Sequence, residues 1–145
     1  MDDVDTDSLR IYRQMLKDEK PSHPYLEQND EEFLFSLRAM RRDRQTGISG
    51  LTLGGLLMFG KWESIQEAAP HYFVDYQERP EAKTELRWVD RLVPDGTWTG
   101  NLFEFYRRVY RKLVSDLKVP FELKDGQRQE DTPVHVALRE ALVNT

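Results

Sequence analysis

No cysteine occurs in the chain, which excludes a disulfide framework and any thiolate metal centre. The histidines His23, His71 and His135 are scattered and lack ligand spacing, so a histidine-based metal motif is not expected either. Long apolar runs are also missing. The longest, Leu51 to Phe59, falls far short of the roughly 20 residues that a membrane-spanning helix needs. The N-terminus, Met1-Asp2-Asp3-Val4-Asp5, is acidic where a secretory leader would be basic and then apolar. There is no internal repeat and no low-complexity tract. A basic excess is lacking as well: the net charge of -5 argues against a surface that binds nucleic acid everywhere, while leaving room for a local basic patch. These absences point to a cytoplasmic protein with no membrane partner.

What is present suffices for a core. Hydrophobic residues make up 39% of the chain and aromatics 11%, too much apolar material for a disordered tail. At 145 residues the chain is one domain's worth, able to bury about 68–70% of its unfolded surface. Asp5-Thr6-Asp7 ahead of Leu9, Tyr12 and Leu16 predicts an N-capped amphipathic helix to about Lys17. After the Pro21–Pro24 break, Asn29 to Glu32 caps a second helix carrying Phe33, Leu34, Leu37 and Met40, followed by a basic loop to Gly50. A short buried helix starts near Thr52. The period then changes from 3.6 to 2, predicting an antiparallel hairpin of strands at about 71–77 and 85–92. Pro94-Asp95-Gly96 is a turn signal, and Asn101 with Glu104 resembles a capping box opening the longest helix, about 101–118. Its apolar face holds Leu102, Phe105, Tyr106, Val109, Leu113 and Leu117. Residues 120–123 read as a short strand, 124–131 as a polar loop, and a last helix starts near Thr132 or Pro133. The fold class is α+β, a small antiparallel sheet packed against helices.

Four patterns bear on chemistry. Gly55 to Lys61 matches G-x-x-x-x-G-K, but Trp62 stands where a phosphate loop needs a Ser or Thr for Mg²⁺, and Leu56 to Phe59 reads as core. Arg38, Arg41, Arg42 and Arg44 form a basic cluster that could contact phosphates. Read as a helix end, it is explained without any partner, because cations there are favoured by the helix dipole. Arg107, Arg108 and Arg111, with Lys112, form a second basic face, which reads either as a phosphate contact or as a solvent-facing charge run in which Glu104 can pair with Arg108. Finally, Glu140 and Asn144 lie four apart and so share one helical face. A carboxylate general base beside a neutral oxygen ligand for a hard cation is what ATP hydrolysis requires at a phosphate site. The spacing alone is common in helices, so its surroundings decide. His71 and His135 read as structural or surface residues.

Those surroundings carry a resemblance. The stretch from Gly50 to Lys61 resembles the LT-x-AGLLLFGK segment of the RecG-related proteins also described as transcriptional regulators; Thr99-Gly100-Asn101-Leu102 is similar to their helix start, and Ala137 to Asn144 to their ALREALVNA segment. In that family an N-terminal Schlafen-like AlbA domain, assigned to nucleic-acid binding, precedes this region, and a gyrase/histidine-kinase/MutL-type ATPase domain follows it. The resemblance implies a fragment: 1–28 as helix and linker after an AlbA-like domain, 29–131 as an α+β middle region, and 132–145 as the first ATPase helix. It implies that Glu140 serves as general base and Asn144 as Mg²⁺ and ATP ligand, in the full-length protein only. The fragment by itself needs no cofactor and is not an enzyme; its partners are the rest of the same polypeptide and, through the arginines, DNA. True helicase activity would need a phosphate loop and an associated acidic box, neither of which is visible. Gly54 departs from the family, which commonly has Ala there. The competing expectation is a self-contained module that binds protein or nucleic acid.

Overall fold

The computed structural model describes residues 1–79, 90–116, 122–124, 127–129 and 133–145. Helix α1 (Thr6–Glu19) leads into a 3₁₀ turn (Pro24–Glu27) and α2 (Asp30–Ser36), then a hairpin of β1 (Met40–Arg42) and β2 (Ser49–Leu51). Helices α3 (Leu53–Phe59) and α4 (Trp62–Ala68) follow, then β3 (Tyr76–Glu78), β4 (Asp90–Leu92) and α5 (Leu102–Asp116). The chain continues through β5 (Glu122–Lys124), β6 (Gln127–Gln129) and α6 (Pro133–Val143). The strands pair antiparallel as β1–β2, β3–β4 and β5–β6. The architecture is α+β, with two-stranded sheets among helices, as the sequence predicts.

The chain divides into two compact units, Met1–Glu104 and Phe105–Thr145. The first is held by Val4, Leu9, Phe33, Leu34, Ala39, Met40, Phe59 and Phe103, all buried. Tyr12 of α1 meets Phe33, Phe59 and Phe103 edge-on, with centroids 6.2, 5.2 and 5.4 Å away. Such edge-to-face contacts place the positive ring edge on the negative ring face and add about 0.5–1.5 kcal/mol each beyond area burial. The N-terminal segment belongs to this core: Asp5 N–H donates to Phe59 O at 2.7 Å, and Lys61 N–H to Asp3 O at 2.8 Å. Arg13 ties α1 to the start of α2, donating to Gln28 O and Asp30 Oδ1, both at 2.8 Å, while its guanidinium lies 4.3 Å from the Phe33 centroid. The second unit buries Val109 and His135, stacks Tyr106 on Tyr110 at 6.2 Å, and has Arg139 donating to the Tyr110 hydroxyl at 3.3 Å.

Several helix starts follow their capping residues. Asp5 Oδ2 accepts from Ser8 N–H at 2.8 Å, Thr52 Oγ1 from Gly55 N–H at 3.0 Å, and Asn29 and Glu32 form a reciprocal capping box. The end of α2 departs from expectation. The helix was expected to run through Met40, yet it stops at Ser36, because Arg38 adopts φ 61°. Arg38 N–H donates to Phe35 O and Ala39 N–H to Leu34 O, the paired bonds of a Schellman ending. Arg38 thus fills a position where glycine, without a Cβ, is ordinarily found. Met40 to Arg42 then runs as a strand, not a helix end, and the expected basic loop is a second hairpin.

The expected hairpin at 71–77 and 85–92 is present in shorter form. Tyr76 pairs with Leu92 and Glu78 with Asp90, while 85–89 lie outside the described residues. The period-2 alternation does hold over 72–76, with Tyr72, Val74 and Tyr76 half-buried and Phe73 and Asp75 exposed. Tyr72 is tied instead by its hydroxyl, which donates to Gly100 O at 2.8 Å. Of the expected 101–118 helix, 102–116 is helical and 117–118 are not described. Within the expected polar loop 124–131, Gln127–Gln129 pairs with Glu122–Lys124.

Candidate functional site

The G-x-x-x-x-G-K stretch folds as α3. Leu56 N–H donates to Thr52 O, and Gly60 N–H to Leu56 O at 2.7 Å, so these amides close helical turns and do not line a phosphate cradle. Leu56 and Phe59 are core, and Lys61 is exposed at the start of α4. Gly55 is required by close packing: a Cβ there would lie 2.7 Å from Ala39 Cα and closer still to its carbonyl oxygen. Gly54 has open space at the same place. Both read from the sequence only as parts of a motif.

The motif's end meets the second matching segment at one side chain. Asn101 is fully buried; its Nδ2 donates to Ser8 Oγ at 3.0 Å and to Gly60 O at 3.1 Å, and its Oδ1 accepts from Glu104 N–H at 2.8 Å. Half of the expected capping box is therefore present. Glu104 turns its carboxylate to Thr99, accepting from the hydroxyl at 2.6 Å and from N–H at 3.1 Å. Asn101 was read as a helix cap alone. Its burial, and its link to residues 41 and 93 positions away, left no local signal.

The first arginine cluster lies around the β1–β2 hairpin. Met40 pairs with Leu51, Arg41 with Gly50 and Arg42 with Ser49, and every residue from 41 to 48 is exposed. Asp43 N–H donates to Ile48 O and Gly47 N–H to Asp43 O, both at 2.8 Å, closing a loop over 44–47 with Gly47 at φ 72°. The Asp43 carboxylate is engaged locally, its Oδ1 accepting from Gln45 N–H at 2.7 Å and Thr46 N–H at 3.2 Å. The side chains of Arg38, Arg41, Arg42 and Arg44 are exposed and enter no ion pair among the described residues. The helix-dipole account lapses for Arg41 and Arg42, which are on a strand, and holds for Arg38 at the end of α2. At the hairpin's base a groove of about 270 Å³ is lined by Tyr12, Leu37, Arg38, Thr52, Gly54, Met58 and Phe59.

The second cluster is different in kind. Arg107 and Arg108 are half-buried and interact within the chain, leaving Arg111 exposed. The two clusters fall in different units, so each stands by itself.

Glu140 and Asn144 are both exposed, and Asn144 N–H donates to Glu140 O at 3.1 Å, so helical hydrogen bonding reaches Asn144. Around them Val143 is 70% and Val134 51% exposed. His135 is buried early in α6, in keeping with a structural histidine, and His71 is exposed. His23 caps the 3₁₀ turn, its Nδ1 accepting from Tyr25 N–H at 3.2 Å.

Two electrostatic shifts stand out in the first unit. Burial pushes the Tyr72 hydroxyl up to about 12. Asp75 is held below the usual carboxylate range mainly by its hydrogen bonds from Arg91, whose Nε and Nη2 reach Oδ1 and Oδ2 at 3.2 Å each. In the second unit, burial raises Tyr106. Among the described residues no helix is long and apolar enough to cross a membrane.

No curated protein and no solved structure matches the chain. A family model described as "Domain of unknown function (DUF8451)" matches residues 1–75. The matched stretch runs from α1 through α4 and includes the arginine hairpin and the Gly54–Gly55 pair. As more than half of its residues fall inside that match, the chain belongs to the DUF8451 family.

Proposed function

We propose that the chain is a non-catalytic α+β part of a RecG-related, ATP-binding regulatory protein, in which α6 contributes Glu140 and Asn144 to a Mg-ATP site completed by other parts of the polypeptide. The observation that carries this reading is the solvent-facing carboxylate and amide one helical turn apart, on a helix whose valines Val134 and Val143 are also exposed. Both donors fit the group: a carboxylate can accept a proton from water, and an amide oxygen is a ligand suited to a hard cation. Bound Mg-ATP would supply the phosphoanhydride to be cleaved. Asn144 would hold the cation, and Glu140 would orient and deprotonate the attacking water. The first unit would act as scaffold, its G-x-x-x-x-G-K stretch being helix and core.

The test separates the two roles in the full-length protein. Glu140→Ala is expected to lower turnover about a hundredfold or more with nucleotide affinity retained, as loss of a general base does. Asn144→Ala is expected to weaken Mg²⁺-dependent nucleotide binding itself. Wild-type hydrolysis by the first variant, or normal Mg-ATP binding by the second, would overturn the assignment. The 145-residue chain alone is expected to give no ATP-binding heat in calorimetry.

A second reading, an interaction module for protein or nucleic acid, is favoured by one specific observation. Four exposed arginines cluster around one short hairpin without an acidic partner among the described residues, in a chain of net charge -5.

A further inference from the structure

We propose that the β1–β2 hairpin is a duplex-DNA contact element that lies in the major groove as a two-stranded ribbon. This deepens the interaction-module reading and is independent of the ATP site.

Charge placement is the first argument. Residues 38–48 hold four arginines and one aspartate, and that aspartate spends its carboxylate on the loop amides of Gln45 and Thr46. These four arginines are exposed and enter no ion pair among the described residues, so the patch keeps its positive field for an external polyanion. Arg38 adds a second argument. It occupies a left-handed position at a cost of about 1–2 kcal/mol, where glycine would be unstrained, and so holds a cation at the hairpin's base.

Shape selects the partner. Every residue from 41 to 48 is exposed, so the hairpin stands clear of the core that anchors it through Met40. Its two strands are about 4.8 Å apart, and a B-form major groove about 12 Å wide admits such a ribbon. The major groove of A-form RNA is too narrow for side chains to read. Successive side chains on a strand point to opposite faces, so Arg41 makes one face of the ribbon positive and Arg42 the other. Arg44 lies in the loop. Ile48, 69% exposed just before the returning strand, supplies an apolar contact of the kind that meets a thymine methyl. Four phosphate contacts give weak, largely sequence-independent binding, with a Kd of about 10⁻⁴–10⁻⁶ M at physiological salt.

Fluorescence anisotropy of the 145-residue chain with a labelled B-form duplex, titrated between 50 and 200 mM salt, tests this. Four neutralised phosphates give a log–log slope of about -3.6, so affinity should fall about 150-fold across that range. The variant Arg41→Gln/Arg42→Gln/Arg44→Gln should show a slope of about -0.9 and a fall of about 3.5-fold, while the triple Arg→Lys variant keeps the wild-type slope. All three positions are exposed, and near-ultraviolet circular dichroism verifies that the variants remain folded. Ile48→Ser should weaken binding several-fold at unchanged slope. If the glutamine variant keeps the wild-type slope, DNA is bound elsewhere, and the hairpin proposal falls while the module reading stands. If the wild-type chain does not bind at 50 mM salt, both fall. Equal affinity for duplex RNA would refute groove insertion.

Discussion

Replacing Asn101 by alanine is the sharpest test of how the first unit is assembled. The substitution removes the cap on Glu104 N–H and the two bonds from Nδ2 to Ser8 Oγ and Gly60 O. Loss of an asparagine cap costs about 1 kcal/mol, and each neutral hydrogen bond contributes about 1 kcal/mol net. The Gly60 carbonyl would further lose a partner at a buried position, for which the desolvation cost is about 1–3 kcal/mol. These effects overlap, and the expected destabilisation is about 3–5 kcal/mol, a large share of the 5–15 kcal/mol typical of a folded domain. Urea unfolding followed by tryptophan fluorescence reads it selectively, because Trp62, Trp88 and Trp98 all fall within Met1–Glu104. With a slope of about 2 kcal/mol per molar urea, a 4 kcal/mol loss moves the midpoint by about 2 M. Ser8→Ala should cost about 1 kcal/mol alone, and the double variant should fall short of additivity by about 0.5 kcal/mol or more. A loss under about 0.5 kcal/mol for Asn101→Ala, or strict additivity with Ser8→Ala, would refute the reasoning.

Adjacent glycines in α3 should respond oppositely: Gly54→Ala gains about 0.5–1 kcal/mol from helix propensity in open space, whereas Gly55→Ala drives its Cβ into Ala39 and should be strongly destabilising, both read as melting-temperature shifts. Tyr72 should ionise near its shifted value of about 12 in an absorbance titration, and Tyr72→Phe should remove that step. As its folded pKa is raised above the ordinary 10, its contribution to stability is present below pH 10 and lost as pH rises from there through 12. Amides of α6 should exchange faster than those near Val109 in α5, since Val134, Val136 and Val143 are 40–70% exposed while Val109 is 2% exposed; equal protection through Val143 would contradict this.

Much of the local structure was legible because capping and turn chemistry is written in neighbouring residues. Asn29 with Glu32, Thr52, and the Pro94–Gly96 turn, where Gly96 adopts φ 88°, all act where their residue types predict. The hairpin carrying the arginines was not legible, for one physical reason: the α2 terminator is arginine, so the usual glycine signal was missing and the apolar period extended through Met40. Helix α4 lacked a signal too, since Lys61 forms no side-chain cap. Phe103 and Asn101 were hidden by distance in sequence, one a core aromatic off the expected apolar face of α5, the other satisfied by groups from Ser8 and Gly60. The Glu140–Asn144 spacing was visible from the start, and the structure adds that both side chains face solvent.

The bonds made by Asn101 also set an order of events during synthesis. A nascent chain that has emerged only as far as residue 75 already holds α1 through α4, yet Phe103 has not joined Tyr12 and Phe59, and the Gly60 carbonyl has no amide to receive. Closing a loop from Ser8 to Asn101 costs little more than closing a shorter one, because the entropy grows only logarithmically with length, but it cannot happen until the far end exists. The stretch that the family model matches, residues 1–75, is therefore shorter than the stretch that packs this core, which includes Phe103. On the ribosome, the first unit should stay open and accessible to chaperones until residues past Glu104 have been translated.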